Sequence, residues 1–189
     1  MNLAGALRVI ARATGLSSAK LIRYAKEYDG DNERKVLYSL VRALRPMDAL
    51  EIGTSHGDGT MCIARAMQKN DYGIVLTVDI NPDVGQHFIP ELMNRVAVGN
   101  WDANEYVERL YSFDFVFEDG NHSIHQVQTV YNHLDTLLRP GGIIVSHDAA
   151  IEGVGAYIKE GQNKAGFDLP VYVIDPMPYG YTIYRKALQ

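Results

Sequence analysis

Residues 49–60 read ALEIGTSHGDGT. Ala49, Leu50 and Ile52 make an apolar run that suits a buried strand, and Glu51 sets a carboxylate near its end. Gly53 and Gly57 bracket a tight turn, and helical patterning starts near Asp58. A strand, a glycine turn and a helix N-terminus make a corner for nucleotide-type ligands, because backbone N–H groups and the helix dipole converge there.

Upstream of this corner the pattern is helical. Leu3, Leu7 and Ile10 recur at helical spacing and predict a helix over 3–14 that ends at Gly15. Ser17 or Ser18 caps a second helix over 18–27, and Asp31 a third over 32–44 that Pro46 stops. The first 26 residues carry Arg8, Arg12, Lys20, Arg23 and Lys26 and no acid. The apolar spacing favours helices laid on the domain over a cleaved presequence. The expected organisation is an N-terminal helical cap over 1–46 and a main domain over 47–189, forming a single compact domain overall.

Downstream, strands and helices alternate. Strands are expected at 48–52, 73–80, 95–99, 113–119 and 143–148. Helices are expected at 58–69, 103–110, 123–138 and 153–163, with a looser helical stretch from Asn81 to about 93. Two strands close the chain, 169–175 and 180–186, joined by the short PMPYG turn of a hairpin. Apolar strands alternating with helices predict an α/β protein whose parallel sheet is covered on both faces.

Composition narrows the partners. A chain of 189 residues with 47% hydrophobic and 22% charged residues holds one sizeable core. A net charge of −5 gives nucleic acid no general attraction, so a small molecule is the expected partner. No apolar run is long enough for a transmembrane helix, so no membrane partner is expected. Cys62 is the only cysteine, which excludes an internal disulfide and fits a cytoplasmic location.

The corner also discriminates between cofactors. A dinucleotide fingerprint needs G-x-G-x-x-G, and Ser55 stands where its second glycine belongs. That glycine lets the backbone approach a pyrophosphate closely, so the serine argues against NAD or FAD. Glu51 suits a ligand with a cationic part, such as an amino-acid ammonium.

The pattern E-x-G-x-x-x-G, Glu51 to Gly57, resembles motif I of the class I S-adenosylmethionine-dependent methyltransferases. EIGTSHGDGT is most similar to their small-molecule O-methyltransferase branch. The segment Asp119-Gly120-Asn121-His122-Ser123 resembles the D-G-x-H-S run of a group that includes sugar and antibiotic O-methyltransferases. The resemblance covers roughly 48–186 and implies a Rossmann-like, seven-stranded, mostly parallel sheet with an antiparallel last strand. It also implies a cofactor, S-adenosylmethionine, held by Glu51, Gly53, Thr54, Ser55, Gly57, Thr60, Asp79, Ile80, Asn100, Trp101 and Asp119. Asp79, ending the second strand, would accept both ribose hydroxyls, and Ile80 would pack on the adenine. Asn100 stands where the family commonly has an acid and would accept from the adenine amino group. Trp101 would line the adenine pocket or simply pack.

Two ways to activate a hydroxyl acceptor remain open. In one, Asp119 and Asp148 hold Mg²⁺ or another divalent cation that acidifies the hydroxyl. In metal-dependent relatives a third ligand flanks the second acid; here Ala149 follows it and His147 precedes it. In the other, His122 or His147 is the base. The catalytic expectation is therefore Asp119, His122 and His147. Asp175-Pro176-Met177-Pro178-Tyr179 faintly resembles the D-P-P-Y motif of amino-directed nucleic-acid methyltransferases, but it falls in the hairpin turn, not after the fourth strand. An NAD(P)-binding oxidoreductase is the competing class, and the chain has no Tyr-x-x-x-Lys pair to support it. A non-catalytic cofactor-binding module is the third. With no long insertion after the fifth strand or between the sixth and seventh, the N-terminal helices are the expected cover for the acceptor and the expected surface of a homodimer.

Overall fold

Polar caps and apolar spacing set the first three helices. In the computed structural model, which describes residues 1–110, 112–121, 123–150, 168, 171–173, 177 and 179–188, α1 (Leu3–Thr14), α2 (Ser18–Ala25) and α3 (Asn32–Leu44) open the chain. Each begins on a side chain that accepts a free backbone N–H: Asn2 from Gly5, Ser17 from Lys20 and Asp31 from Arg34. There follow β1 (Asp48–Ile52), α4 (Asp58–Asn70), β2 (Ile74–Asp79), β3 (Val96–Asn100), α5 (Ala103–Tyr106) and β4 (Phe113–Glu118). The chain continues through α6 (Ile124–Asn132), α7 (Leu134–Leu137), β5 (Leu138–Ser146), β6 (Val171–Val173) and β7 (Tyr181–Arg185).

The seven strands form one sheet in the order β3-β2-β1-β4-β5-β7-β6. β1 through β5 pair in parallel, and β7 runs antiparallel to both neighbours. The strand alternation sorts side chains to two faces. Ala49, Val75, Phe115, Phe117, Ile143, Val145 and Ile183 pack with α1 to α4. Leu50, Ile52, Val78, Val116, Ile144 and Tyr184 pack with α5 to α7. Ala6, Leu7, Ile10, Leu21 and Leu37 belong to the first of these cores, so the three N-terminal helices bury their apolar sides in the same core as one face of the sheet. Among the described residues no helix is long and apolar enough to cross a membrane.

Three elements differ from expectation. The stretch after Asn81 is not helical. Asp79 accepts from the Asn81 N–H and Asn81 from the Asp83 N–H, so side chains compete for the backbone groups a helix would use. A 3₁₀ turn forms only at Pro90–Arg95. The helix expected over 123–138 breaks at His133, whose ring contacts the Thr129 carbonyl at 2.8 Å, into α6 and α7. β5 starts at Leu138, ahead of its expected start at 143, because Lys186 draws the Pro140-Gly141-Gly142 run into the sheet. The Gly141 N–H donates to the Lys186 carbonyl and the Lys186 N–H to the Gly142 carbonyl, each at 2.9 Å. The helix expected at 153–163 lies outside the described residues.

Candidate functional site

The strand order reverses between β1 and β4: β2 and β3 extend to one side, β5 to the other. A crevice opens at such a reversal, beyond the carboxyl ends of the strands. Here it is lined by Gly53 and Ser55 after β1, Asp79 and Ile80 at the end of β2, Trp101 to Asn104 after β3, and Asp119 to Asn121 after β4. Gln126 also lines it. Gly53 adopts φ +97°, and a Cβ there would strike the Asp119 carbonyl, so only glycine lets the two loops touch. Ser55 also sits in the left-handed region, at φ 46°, and its N–H donates to Asp79 Oδ2 at 2.9 Å. That bond ties the Asp79 carboxylate to the turn after β1. Ile80 is 71% exposed and presents a bare apolar surface to the cleft.

The other residues expected at the cofactor lie elsewhere. Glu51 is 1% exposed and sits beneath the turn, on the α4 side of the sheet, where Thr60 and Thr77 both donate to its Oε2. Thr54 joins the same buried network through Thr77 at 2.7 Å. A Cβ on Gly59 would collide with Glu51 Oε1, so the helix start closes over this carboxyl. Burial pushes the Glu51 pKa up to about 8, with Asp119 and Asp79 adding to the rise and the two threonines opposing it. A neutral, enclosed carboxyl supports the turn and does not face an ammonium in the cleft. Gly57 caps α4 at φ 95° and does not line the cleft. Asn100 donates its amide to the Asp79 and Ile80 carbonyls at 3.0 and 3.1 Å, locking the turn after β2. The cleft wall there is instead Trp101, Asp102, Ala103 and Asn104.

A second group of side chains meets the cleft at Asp119. His147, at the end of β5, places Nδ1 2.9 Å from Asp119 Oδ1 and 3.4 Å from Asp148 Oδ1. Among the described residues, Asp119, His147 and Asp148 are the group whose ligand atoms, all within 4.8 Å of one another, could hold a metal ion. His147 Nδ1 is buried without an aligned hydrogen-bond partner, so its contact with Asp119 is a charge contact and not a directed bond. An orphaned nitrogen between two carboxylates fits a cation. Asp148 holds φ 58°, a conformation that costs a non-glycine residue about 1–2 kcal/mol. Burial alone would lower the His147 pKa. The contacts with Asp119, Asp148 and Glu33 outweigh it and push the value up to about 12. In that charged form Nδ1 has no lone pair, so a cation would bind here only by displacing its proton. His122 lies outside the described residues.

Besides Asp102, Ala103 and Asn104 on the cleft wall, Gln126 and Glu33 had no role in the sequence reading. Gln126 accepts from the Asn121 N–H at 3.0 Å and donates to the buried Glu118 at 3.2 Å, clasping the loop that carries Asp119. A glycine at 120 is what leaves its amide room. Glu33, on the first turn of α3, places Oε2 3.4 Å from His147 Nε2. Its position 114 residues before that histidine left no local signal.

Comparison with known proteins identifies the family and the fold. The family described as "Methyltransferase domain" matches residues 50–149. A protein of Mycobacterium sp. (strain JLS) named "Putative O-methyltransferase" is 32% identical over 126 residues, which is 62% of this chain and 56% of that protein. The chain thus spans little more than half the length of that relative. Solved structures share the fold. A methyltransferase of Podospora anserina bound to SAH superposes with a TM-score of 0.68 at 16% identity, covering 95% of this chain and 94% of that one. An O-methyltransferase of Bacillus cereus in complex with SAH gives 0.64 at 19% identity, covering 97% and 90%. An O-methyltransferase of Streptomyces achromogenes involved in tomaymycin synthesis, in complex with SAM, gives 0.65 at 18% identity, covering 89% and 88%.

Proposed function

The chain belongs to the methyltransferase domain family, and on that premise we propose that it moves a methyl group from S-adenosylmethionine to a hydroxyl of a small molecule. The observation that carries this reading is the double position of Asp119. It lines the cleft and also stands in the cluster with His147 and Asp148. A donor seated in the cleft has its reactive end beside the carboxylate that reaches the groups able to handle a proton or a cation.

The residues divide the work along the cleft. Asp79, held by the Ser55 N–H, accepts the two ribose hydroxyls. Ile80 and Trp101, which both line the cleft, offer apolar surface to the adenine, and Gly53 leaves room beside the Asp119 loop. Methyl transfer breaks a carbon–sulfur bond, forms a carbon–oxygen bond and releases the hydroxyl proton. Among the three clustered side chains Asp119 is the most open, 31% exposed against 15% for His147, so it orients the acceptor and receives that proton. Asp119, His147 and Asp148 would also hold a divalent cation, with Asp148 the most enclosed of the three. Such a cation, when bound, supplies Lewis acidity to the acceptor hydroxyl. A nitrogen ligand suits softer ions than Mg²⁺.

Calorimetry with S-adenosylmethionine, S-adenosylhomocysteine and NADH tests the cofactor. The first two bind, and Asp79→Ala weakens them about tenfold or more, as loss of charge-assisted hydrogen bonds requires. Binding of NADH with neither sulfur compound would reject the reading. Methyl transfer to a panel of hydroxylated acceptors, with and without EDTA, tests the rest. Loss with EDTA and recovery with Mn²⁺ supports the cation; activity untouched by EDTA removes it.

A further inference from the structure

The ligand behaviour of a histidine depends on which nitrogen faces the site, and the partner of the other nitrogen decides that. His147 turns Nδ1 towards Asp119 and Asp148 and Nε2 towards Glu33 Oε2, at 3.4 Å. The other oxygen of Glu33 accepts the N–H groups of Tyr179 and Gly180, at 3.1 and 3.3 Å. That turn leads into β7, and Tyr179 of the turn and Tyr181 at the start of β7 both meet the imidazole edge-on, with centroids 5.6 Å away. The Glu33 side chain is only 12% exposed. A carboxylate placed merely to favour the α3 dipole would stay in water, where the helix terminus is already capped by Asp31.

We propose that Glu33 is a positioning residue of the site: it holds His147 by Nε2, so that Nδ1 points at Asp119 and Asp148, and it ties α3 to the turn that packs on the same ring. The assignment rests on the reading of Asp119, His147 and Asp148 as a cation-handling cluster, but its test by NMR of the His147 ring does not. Without Glu33 the imidazole is free to turn over about its Cβ–Cγ bond, and the orientation of Nδ1 is lost.

The test uses the full chain, treated with EDTA and then titrated with Co²⁺, beside proton–nitrogen NMR of the histidine rings. Glu33→Gln is isosteric and keeps one acceptor for the turn. Its expected effects are a shifted or lost Nε2–H resonance of His147 and Co²⁺ binding weakened about ten- to a hundredfold, with the thermal midpoint little changed. Glu33→Asp is the second variant. It keeps the charge on the first turn of α3 but draws it back from the ring, so it reproduces both losses. Wild-type behaviour of Glu33→Asp in both measurements would assign Glu33 to the helix dipole and overturn the proposal. An unaltered resonance and unaltered Co²⁺ binding in Glu33→Gln would overturn it as well. If the wild-type protein takes up no Co²⁺ and the resonance still moves in Glu33→Gln, the cation reading fails and the positioning role stands.

Discussion

Ser55 and Glu51 carry most of the local information at the turn, and they do so by opposite means. Ser55 adopts the left-handed conformation in which a glycine would be at ease. The cost is about 1–2 kcal/mol, while a glycine would lose about 0.5–1 kcal/mol through its freer unfolded chain. Ser55→Gly is therefore expected to raise stability by up to about 1.5 kcal/mol. The N–H that orients Asp79 remains, so S-adenosylmethionine affinity holds. Urea unfolding reads the first and calorimetry the second; a destabilised variant would show that the hydroxyl earns its place. Glu51 works through its proton. Its pKa rises from 4.5 to about 8 on folding. Below pH 4.5 both states are protonated. Between pH 4.5 and 8 only the unfolded chain loses the proton, so stability falls as pH rises, by up to about 1.4 kcal/mol per pH unit. Glu51→Gln keeps a carbonyl for Thr60 and Thr77 and removes that slope. The stability difference between variant and wild type should grow steadily from pH 5 to pH 8 in denaturant titrations. A constant difference would mean that Glu51 is ionised throughout.

At the scale of elements, what was legible was what is local. β1, the turn and α4 follow from one apolar run and two glycines, and Asp79, Asp119 and Asp148 follow from reading where apolar strands stop. The face each residue takes was partly readable too: Glu51 shares its parity with Ala49, and the structure puts both on the α4 side. That alternation already argued against Glu51 looking into a cleft at the strand tips. The errors came from partners distant in sequence. Pro140-Gly141-Gly142 signals a turn, and only Lys186 makes it strand. Asn81 and Asp83 are neutral in a helix pattern until their side chains take the backbone N–H groups nearby. Trp101 was expected at the cleft, and Asp102, Ala103 and Asn104 follow directly on it, so extending the reading a few residues further would have found them. Glu33 had no such signal, because an acid in a first helical turn is fully explained by the helix dipole.

At the scale of the molecule, the N-terminal helices are more than a cover. Ile10 and Leu7 of α1 and Leu37 of α3 lie in the same core as Phe115, Val145 and Ile183 of the sheet. Glu33 reaches from α3 to the end of β5, so packing and site share one support. A helical cap that folded separately would unfold separately. One that completes the core would take the sheet with it, because small single domains unfold cooperatively. Ile10 is fully buried, and Ile10→Ala is expected to cost about 2–5 kcal/mol. Trp101, the only tryptophan, stands on the cleft wall against the opposite core, so its fluorescence reports the far side of the sheet. Urea unfolding followed by Trp101 fluorescence and by far-ultraviolet circular dichroism should give one coincident transition in wild type. In Ile10→Ala both probes should shift together. If the Trp101 transition stays in place while the dichroism splits, α1 is an appendage, and the link from α1 through α3 to His147 cannot be what holds the site in register.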